Sequence, residues 1–385
     1  MTIGKIKGFS DYTGTQAENR AEIKKVIQQE FELYGFEPAE TPIIENQDFV
    51  QGNNQQDEAV SDIFKLQDKG KRKLALRYEF TFQLKRISQN KKLPYKRYEI
   101  GPVFRDEPVT SNRFRQFTQC DVDTIGSGLN DEAEILALTG SILQKLGIDF
   151  EIYFNNRKLL NEILVDQKIK EEYQSQVIKE IDKLDKLPEK QVLENLKKYN
   201  AEKLLKVLIQ PEKSFEKYSF YKEIKELKKT CKNYGIDIKF QPFLARGLSY
   251  YNSSIFEIKS PNKKETICAG GSYLINKVQA TGISLGLERL AEIAKLKKEK
   301  EKFLIISIDQ NQKAIELAEK LRQKNKPTIL LLDKSPGKAL DYANAREINW
   351  VILIGEEEVR LKKFKLKNME TGKEKLISLT ELLKV

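Results

Sequence analysis

The chain has 385 residues, with 68 Lys and Arg against 57 Asp and Glu, a formal net charge of +11 and no histidine. That length allows two or three domains with a substantial core, and the basic balance favours a polyanionic partner such as RNA, although lysine-rich solvated helix faces would give the same excess. The missing imidazole excludes Ser-His-Asp and Cys-His nucleophile systems, His-ligated metals and imidazole general bases, and the separated Cys120, Cys231 and Cys268 form no metal-ligand or disulfide framework.

In chain order, the first residues carry no apolar signal-like core and no later apolar run reaches membrane-spanning length, so a soluble, cytoplasmic protein is expected. Residues 18–34 place Ile23, Val26, Ile27, Phe31 and Tyr34 on one helical stripe, and Pro42 then interrupts regular structure before a strand. The segment 97–126 reads as a hairpin: a strand through Tyr98, Ile100, Val103 and Phe104, a loop over 108–112, and a returning strand over 114–125. A capped helix follows over 130–147, opened by Asn130 or Asp131 and closed by Gly147, with Ile135, Leu138 and Ile142 inward. Lysine-rich amphipathic helices then fill 150–235, with stripes at Val177, Ile181 and Leu184, at Leu193, Leu196 and Tyr199, and at Leu204, Leu205 and Leu208. Strand-like character returns over 243–290, broken by a polar loop at 260–264, and the charged run 295–302 reads as a linker or helix end. From 303 the pattern alternates: strands at 303–308, 328–332 and 350–355 enclose helices over 314–323 and 338–347, which indicates a parallel α/β domain. No glycine-rich phosphate loop joins its first strand to its first helix.

The hairpin carries the chemistry. It concentrates Arg105, Arg113, Arg115, Glu107, Phe117 and Gln119, a mixture suited to a nucleoside triphosphate. Guanidinium groups stabilise charge developing at a phosphorus without a proton transfer, Phe117 offers a flat face for a purine, and Glu107 can accept from an exocyclic amine. A solvated basic hairpin with Phe114 and Phe117 in the core is the alternative reading.

The same segment resembles motif 2 of class II aminoacyl-tRNA synthetases, and its ending, RFRQFTQCDVD, resembles the histidyl-tRNA synthetase version. YGFEPAETPIIE at 34–45 is similar to motif 1, GISLGLERL at 282–290 to motif 3, and LARGLSYYNSSIFEI at 244–258 to the Arg-Gly-Leu-Asp-Tyr-Tyr signature of the histidine enzyme. These blocks stand in family order over nearly the whole chain. The resemblance implies an α+β fold: a class II antiparallel sheet flanked by helices, a helical insertion, and a C-terminal α/β anticodon-binding domain. It implies the divisions 1–150 and 236–298 for the catalytic domain, 151–235 for the insertion and 299–385 for the anticodon-binding domain. It further implies histidine activation by ATP with Mg²⁺, transfer to tRNA(His), and a homodimer built on the motif 1 helix.

By the same resemblance Arg105 and Arg246 reach the α-phosphate, with Arg246 the main catalytic candidate; Arg113 holds the outer phosphates; Glu107 takes the adenine amine; and Phe117 and Arg289 cover the two faces of the base. Glu79, Thr81 and Gln119 correspond to acceptors for the substrate ammonium, Asp123 and Tyr251 to partners of the imidazole, and Tyr250 and Tyr273 to the pocket lining. No metal ligand of the protein is expected. On residues alone, Arg246 would equally pair with a structural carboxylate and the tyrosines would equally be core residues. The sequence departs from the family at Ser249, where the signature has aspartate, and at 270–274, where Gly-Gly-Ser-Tyr-Leu replaces Gly-Gly-Arg-Tyr-Asp. Both departures are expected beside the pocket. They leave a second reading, a catalytically weak regulatory paralogue such as an ATP phosphoribosyltransferase regulatory subunit, or a tRNA-binding protein.

Overall fold

In the computed structural model the described residues are 4–52, 62–110, 113–185, 187–246, 250–261, 266–296, 301–332 and 334–384. The chain divides into two compact units, residues 1–295 and 296–385.

The first unit opens with helix α1 (Gly14–Leu33), which buries Ile23, Ile27 and Phe31, positions a 3.6-residue period brings to one face. It begins four residues before the predicted span of 18–34, because the polar first turn carries no periodic signal. Strand β1 (Glu37–Pro38) is short, and a small sheet of β2 (Ile44–Asn46), β3 (Lys65–Gln67) and β4 (Lys73–Leu76) follows, in the order β2-β4-β3. Helix α2 (Gln47–Gln51) lies between β2 and β3 in the chain, and α3 (Leu84–Ile87) precedes the main hairpin.

That hairpin is β5 (Tyr95–Phe104) and β6 (Gln116–Ile125), paired antiparallel from Tyr95 opposite Ile125 to Phe104 opposite Gln116. Helix α4 (Leu129–Lys145) follows, with Gly128 at its N-cap. Asp131 acts there as the side chain that accepts from the Gly128 N–H at 2.8 Å, three residues into the helix rather than at its start. Strand β7 (Glu151–Asn156) leads into five helices: α5 (Arg157–Asp166), α6 (Glu171–Ile181), α7 (Glu189–Lys197), α8 (Glu202–Leu208) and α9 (Tyr221–Asn233). In α7 the buried positions are Val192 and Leu196, with Leu193, and Tyr199 just past the helix end, only half-buried, so the apolar face is rotated from the expected stripe. The chain then returns through β8 (Ile238–Phe240), β9 (Tyr251–Lys259), β10 (Thr266–Ile275) and β11 (Val278–Gly286) to helix α10 (Leu287–Ile293).

These strands make one eight-stranded sheet in the order β1-β5-β6-β11-β10-β9-β7-β8. The outermost pairs, β1 with β5 and β7 with β8, are parallel and every inner pair is antiparallel. The five helices α5 to α9 thus leave and rejoin the sheet between adjacent strands. Helix α4 covers one sheet face, with Ile135, Leu136, Leu138, Ile142 and Leu143 fully buried. The opposite face carries the cavity described below.

The second unit has β12 (Phe303–Ser307), α11 (Asn311–Gln323), β13 (Thr328–Leu331), α12 (Pro336–Ala345), β14 (Trp350–Ile354), α13 (Glu356–Leu361), β15 (Lys363–Asn368), β16 (Glu374–Ser378) and α14 (Leu379–Leu382). Strand order is β13-β12-β14-β15-β16; β12 pairs parallel with β13 and β14, and β15 and β16 add an antiparallel edge. The continuous apolar strands are explained by two-sided burial: Phe303, Ile305 and Ile352 pack with Leu317 and Leu321, while Leu304, Ile306 and Val351 pack with Ala339 and Ala343. Mixed α+β architecture with a C-terminal α/β unit is therefore observed.

Candidate active site

The first unit contains a cavity of about 450 Å³ whose wall is strand β6. Alternate residues of a strand share a face, so Phe117, Gln119, Asp121 and Asp123 all look into it, spanning about 20 Å at about 3.3 Å per residue. Small residues on the neighbouring strands create the space: Gly282, Ser284 and Gly286 of β11 sit opposite Asp123, Asp121 and Gln119, and Gly101 of β5 sits opposite Gln119. A Cβ at Gly282 would overlap the Asp123 carboxylate, and one at Gly101 would lie 2.7 Å from Arg77 Nη2. Every side chain given a role by the family resemblance lines this one cavity: Glu79, Thr81, Arg105, Glu107, Arg113, Phe117, Gln119, Asp123, Arg246, Tyr250, Tyr251, Tyr273 and Arg289.

Toward the Phe117 end the hairpin loop forms a cationic cluster. Glu107 lies between Arg113 Nη1, at 3.4 Å, and Arg105 Nη1, at 3.9 Å. The Arg105 guanidinium stands 5.1 Å from the Phe117 ring centroid and its Nε donates to the Tyr78 carbonyl at 3.2 Å. Arg115, in contrast, turns to Asp106 at 3.0 Å and to the Glu107 carbonyl, outside the cavity lining. Glu107 holds two guanidinium groups side by side that would otherwise repel, and leaves them available to a polyphosphate.

Toward the Asp123 end the site is buried and aromatic. Tyr250 stacks on Tyr273 at 4.8 Å between centroids and meets Tyr251 edge-on at 5.1 Å. Tyr273 donates its hydroxyl to Asp123 Oδ1, and Arg97, fully buried, contacts Asp123 Oδ2 at 2.8 Å and the Phe80 carbonyl at 3.2 Å. Burial raises both Asp121 and Asp123, but Asp123 has Arg97 and Tyr273 to hold its charge. Asp121, desolvated and facing the charge of Asp123, is pushed up to about 8. Burial likewise pushes the hydroxyls of Tyr250, Tyr251 and Tyr273 above their ordinary value, so they remain neutral donors.

Arg246 contacts Glu257 Oε1 at 2.8 Å. Glu257 is fully buried, also meets Lys259 Nζ at 3.3 Å, and accepts from the Thr266 hydroxyl; the Thr266 carbonyl in turn accepts from Arg289 Nη1. One carboxylate and one threonine thus anchor both arginines that come from outside the hairpin. Arg246 has the structural carboxylate partner that its sequence context also allowed, and it lines the cavity as well.

Several residues of the site were not singled out from sequence. Arg97, Asp121 and Ser284 follow from strand parity once the β5, β6 and β11 registers are known. Glu288 accepts from the Thr118 N–H at 3.1 and 3.0 Å and from Arg20 Nη2 at 2.8 Å, tying α10 and α1 to β6. A glutamate beside Arg289 in the GLERL run was the available signal.

The departure at Ser272 is not beside the pocket. Residues alternate along β10, whose pairing with β11 is unbroken, so Tyr273 looks into the cavity and its neighbour Ser272 faces the other way. There Ser272 and Ser254, the latter at 2.6 Å, donate to the two oxygens of Glu132 on α4. The departure at Ser249 lies outside the described residues.

Among the described residues no group of three His, Cys, Asp or Glu side chains converges on a common point, and no helix is long and apolar enough to cross a membrane. A family model described as histidyl-tRNA synthetase matches residues 8–290, and one described as an anticodon binding domain matches residues 302–385. Histidine--tRNA ligase 1 of Bacillus anthracis is 34% identical over 424 aligned positions, covering 99% of this chain and 99% of that protein. Among solved structures, the histidyl-tRNA synthetase from Nostoc sp. PCC 7120 superposes with a TM-score of 0.88 at 24% identity, covering 100% of this chain and 99% of that one. A protein from Bacillus halodurans described as an ATP phosphoribosyltransferase regulatory subunit/histidyl-tRNA synthetase gives 0.74 at 22% identity, covering 89% and 96%. At those identities the two structures share the fold.

Proposed function

The chain belongs to the histidyl-tRNA synthetase family and is a histidine–tRNA ligase, and from that premise we propose how its cavity carries the reaction. Histidine and ATP react first: a carboxylate oxygen of histidine attacks the α-phosphorus, the bond to the bridging oxygen breaks, and pyrophosphate leaves. The terminal hydroxyl of tRNA then takes the acyl group and AMP leaves. Neither step needs an imidazole of the protein, because the first nucleophile is already ionised.

Arg105 and Arg246 neutralise the charge that grows at the α-phosphate, where fixed guanidinium groups in a water-poor site act most strongly. Arg113 holds the outer phosphates, Phe117 and Arg289 sandwich the adenine, and Glu107 accepts from its amine. Histidine occupies the other end, its ring between Asp123 and Tyr251 against Tyr250 and Tyr273, its ammonium toward Glu79, Thr81 and Gln119. A buried polar pocket of this kind rejects side chains that leave its groups unpaired. Mg²⁺ enters with the nucleotide as part of the substrate, held by phosphates and water.

The observation that carries this reading is β6 itself, one strand that joins the Arg105–Phe117 cluster to the Asp123–Tyr273 cluster along a single cavity wall. The second unit supports tRNA as the acceptor, since its sequence matches the anticodon-binding family. A cytoplasmic homodimer completes the proposal; exposed Leu33, Ile43 and Ile44 around the motif 1 segment supply apolar surface for the subunit contact, and sedimentation tests it. The reaction itself is tested by exchange of labelled pyrophosphate into ATP with each of the twenty amino acids and no tRNA. Exchange with histidine alone is expected. No exchange despite bound ATP would move the assignment to a regulatory paralogue or a tRNA-binding protein.

A further inference from the structure

Two residues that line the cavity, Gln119 and Asp121, each hold a buried oxygen with no hydrogen-bond partner among the described residues, Oε1 and Oδ1; Asp123 Oδ2 shares that state but ion-pairs with Arg97. The side chains are 9% and 5% exposed, and they stand two residues apart on the same face of β6. Ser284, across the strand pair, fixes both. Its Oγ accepts from Gln119 Nε2 at 2.9 Å, and its hydroxyl bonds the Asp121 carboxylate. Gln119 therefore spends a donor and Asp121 one acceptor on Ser284, and each keeps one oxygen unpaired.

Neighbouring Asp123 is differently placed, with Oδ1 taken by Tyr273 and Oδ2 against Arg97. The open carboxylate oxygen on this wall belongs to Asp121. Buried acceptors of this kind are costly unless a donor arrives. An imidazole ring brings one N–H at a time, whereas an ammonium brings three donors and no acceptor, which suits two acceptors side by side. Resting on the reading of this cavity as a histidine site, we propose that Asp121 is a specificity-determining residue that binds the α-ammonium of the amino acid together with Gln119.

The test is pyrophosphate exchange by the wild-type chain and by Asp121→Asn, which keeps the shape but cannot ionise against a bound ammonium. L-Histidinol, which has the ammonium and the ring, and 3-(imidazol-4-yl)propanoate, which lacks the ammonium, serve as competing probes. A charge-assisted hydrogen bond predicts a rise of about tenfold or more in the histidine KM and the histidinol inhibition constant. The ATP KM and the inhibition constant of the deaminated probe should stay within about twofold. An unchanged histidine KM would overturn the proposal, and so would equal weakening of the deaminated probe, which would assign Asp121 to the ring or to scaffolding. Asp121→Ser, read with the same probes, answers the question if the asparagine variant does not fold. Failure of the wild-type chain to exchange would instead refute the underlying function.

Discussion

Glu257→Gln separates the carboxylate that positions Arg246 from Arg246 itself. Glu257 is fully buried and gathers Arg246, Lys259 and the Thr266 hydroxyl, while Thr266 also holds Arg289 through its carbonyl. Glutamine preserves the volume and one acceptor oxygen but replaces a charged acceptor by a neutral one. Hydrogen bonds to charged groups contribute about 1.5–3 kcal/mol and neutral ones about 0.5–1.5, so the Arg246 contact weakens by about 1 kcal/mol. The Arg246 side chain is 33% exposed, so water recovers part of that, and the loss in global stability should be about 1 kcal/mol or less. Rate is more sensitive than stability here. A guanidinium displaced by about 1 Å from the α-phosphate is expected to lower kcat for pyrophosphate exchange by about 10- to 100-fold, with the histidine KM within about twofold. Arg246→Ala should lower kcat by about 10²–10³-fold, as expected for removing a group that stabilises the transition-state charge. If Glu257 acts through Arg246, the double variant should be no slower than Arg246→Ala alone. Multiplicative losses in the double variant, or wild-type kcat in Glu257→Gln, would refute the coupling.

Gly282→Ala would place a methyl group against the Asp123 carboxylate, and the overpacking should cost about 1–3 kcal/mol. Because Asp123 must move, the histidine KM should rise about tenfold or more, which exchange kinetics would measure; an unaltered KM would contradict the close approach. Ser272→Ala removes a donor from the buried Glu132 carboxylate and should lower stability by about 1–3 kcal/mol in denaturant titration, with histidine and ATP KM unchanged because Ser272 faces away from the cavity. The raised Asp121 group sets a pH dependence: it stays protonated in the fold up to about 8 while the unfolded chain loses that proton near 4. Its contribution to stability is complete below about pH 4 and is lost as pH rises toward 8. Asp121→Asn should therefore flatten the stability profile of the free protein across that window, and an unchanged slope would show that Asp121 does not carry the proton.

What the sequence made legible, and what it withheld, has a common physical cause. Local periodicity identified the apolar face of α1, the β5–β6 hairpin and the three parallel strands of the second unit, because each is defined by neighbours within one segment. The residues quoted for chemistry come from separated segments and still converge on one cavity, which order along the chain alone could not dictate. Strand β15 was missed although Lys363, Phe364, Lys365, Leu366 and Lys367 alternate, since a lysine-rich composition makes such alternation look like solvated loop. Ser272 was misplaced for a different reason: it was judged by its nearness in the chain to Tyr273, whereas alternation along β10 puts adjacent residues on opposite faces. The same logic explains Asp121. Its parity with Gln119 and Asp123 was legible in QCDVD, but its open oxygen was not, because only the pairing of β6 with β11 brings Ser284 to it and only Arg97 and Tyr273, from β5 and β10, occupy Asp123 instead. A strand thus announces which side chains share a wall, while their neighbours across the sheet decide which of their oxygens are already paired.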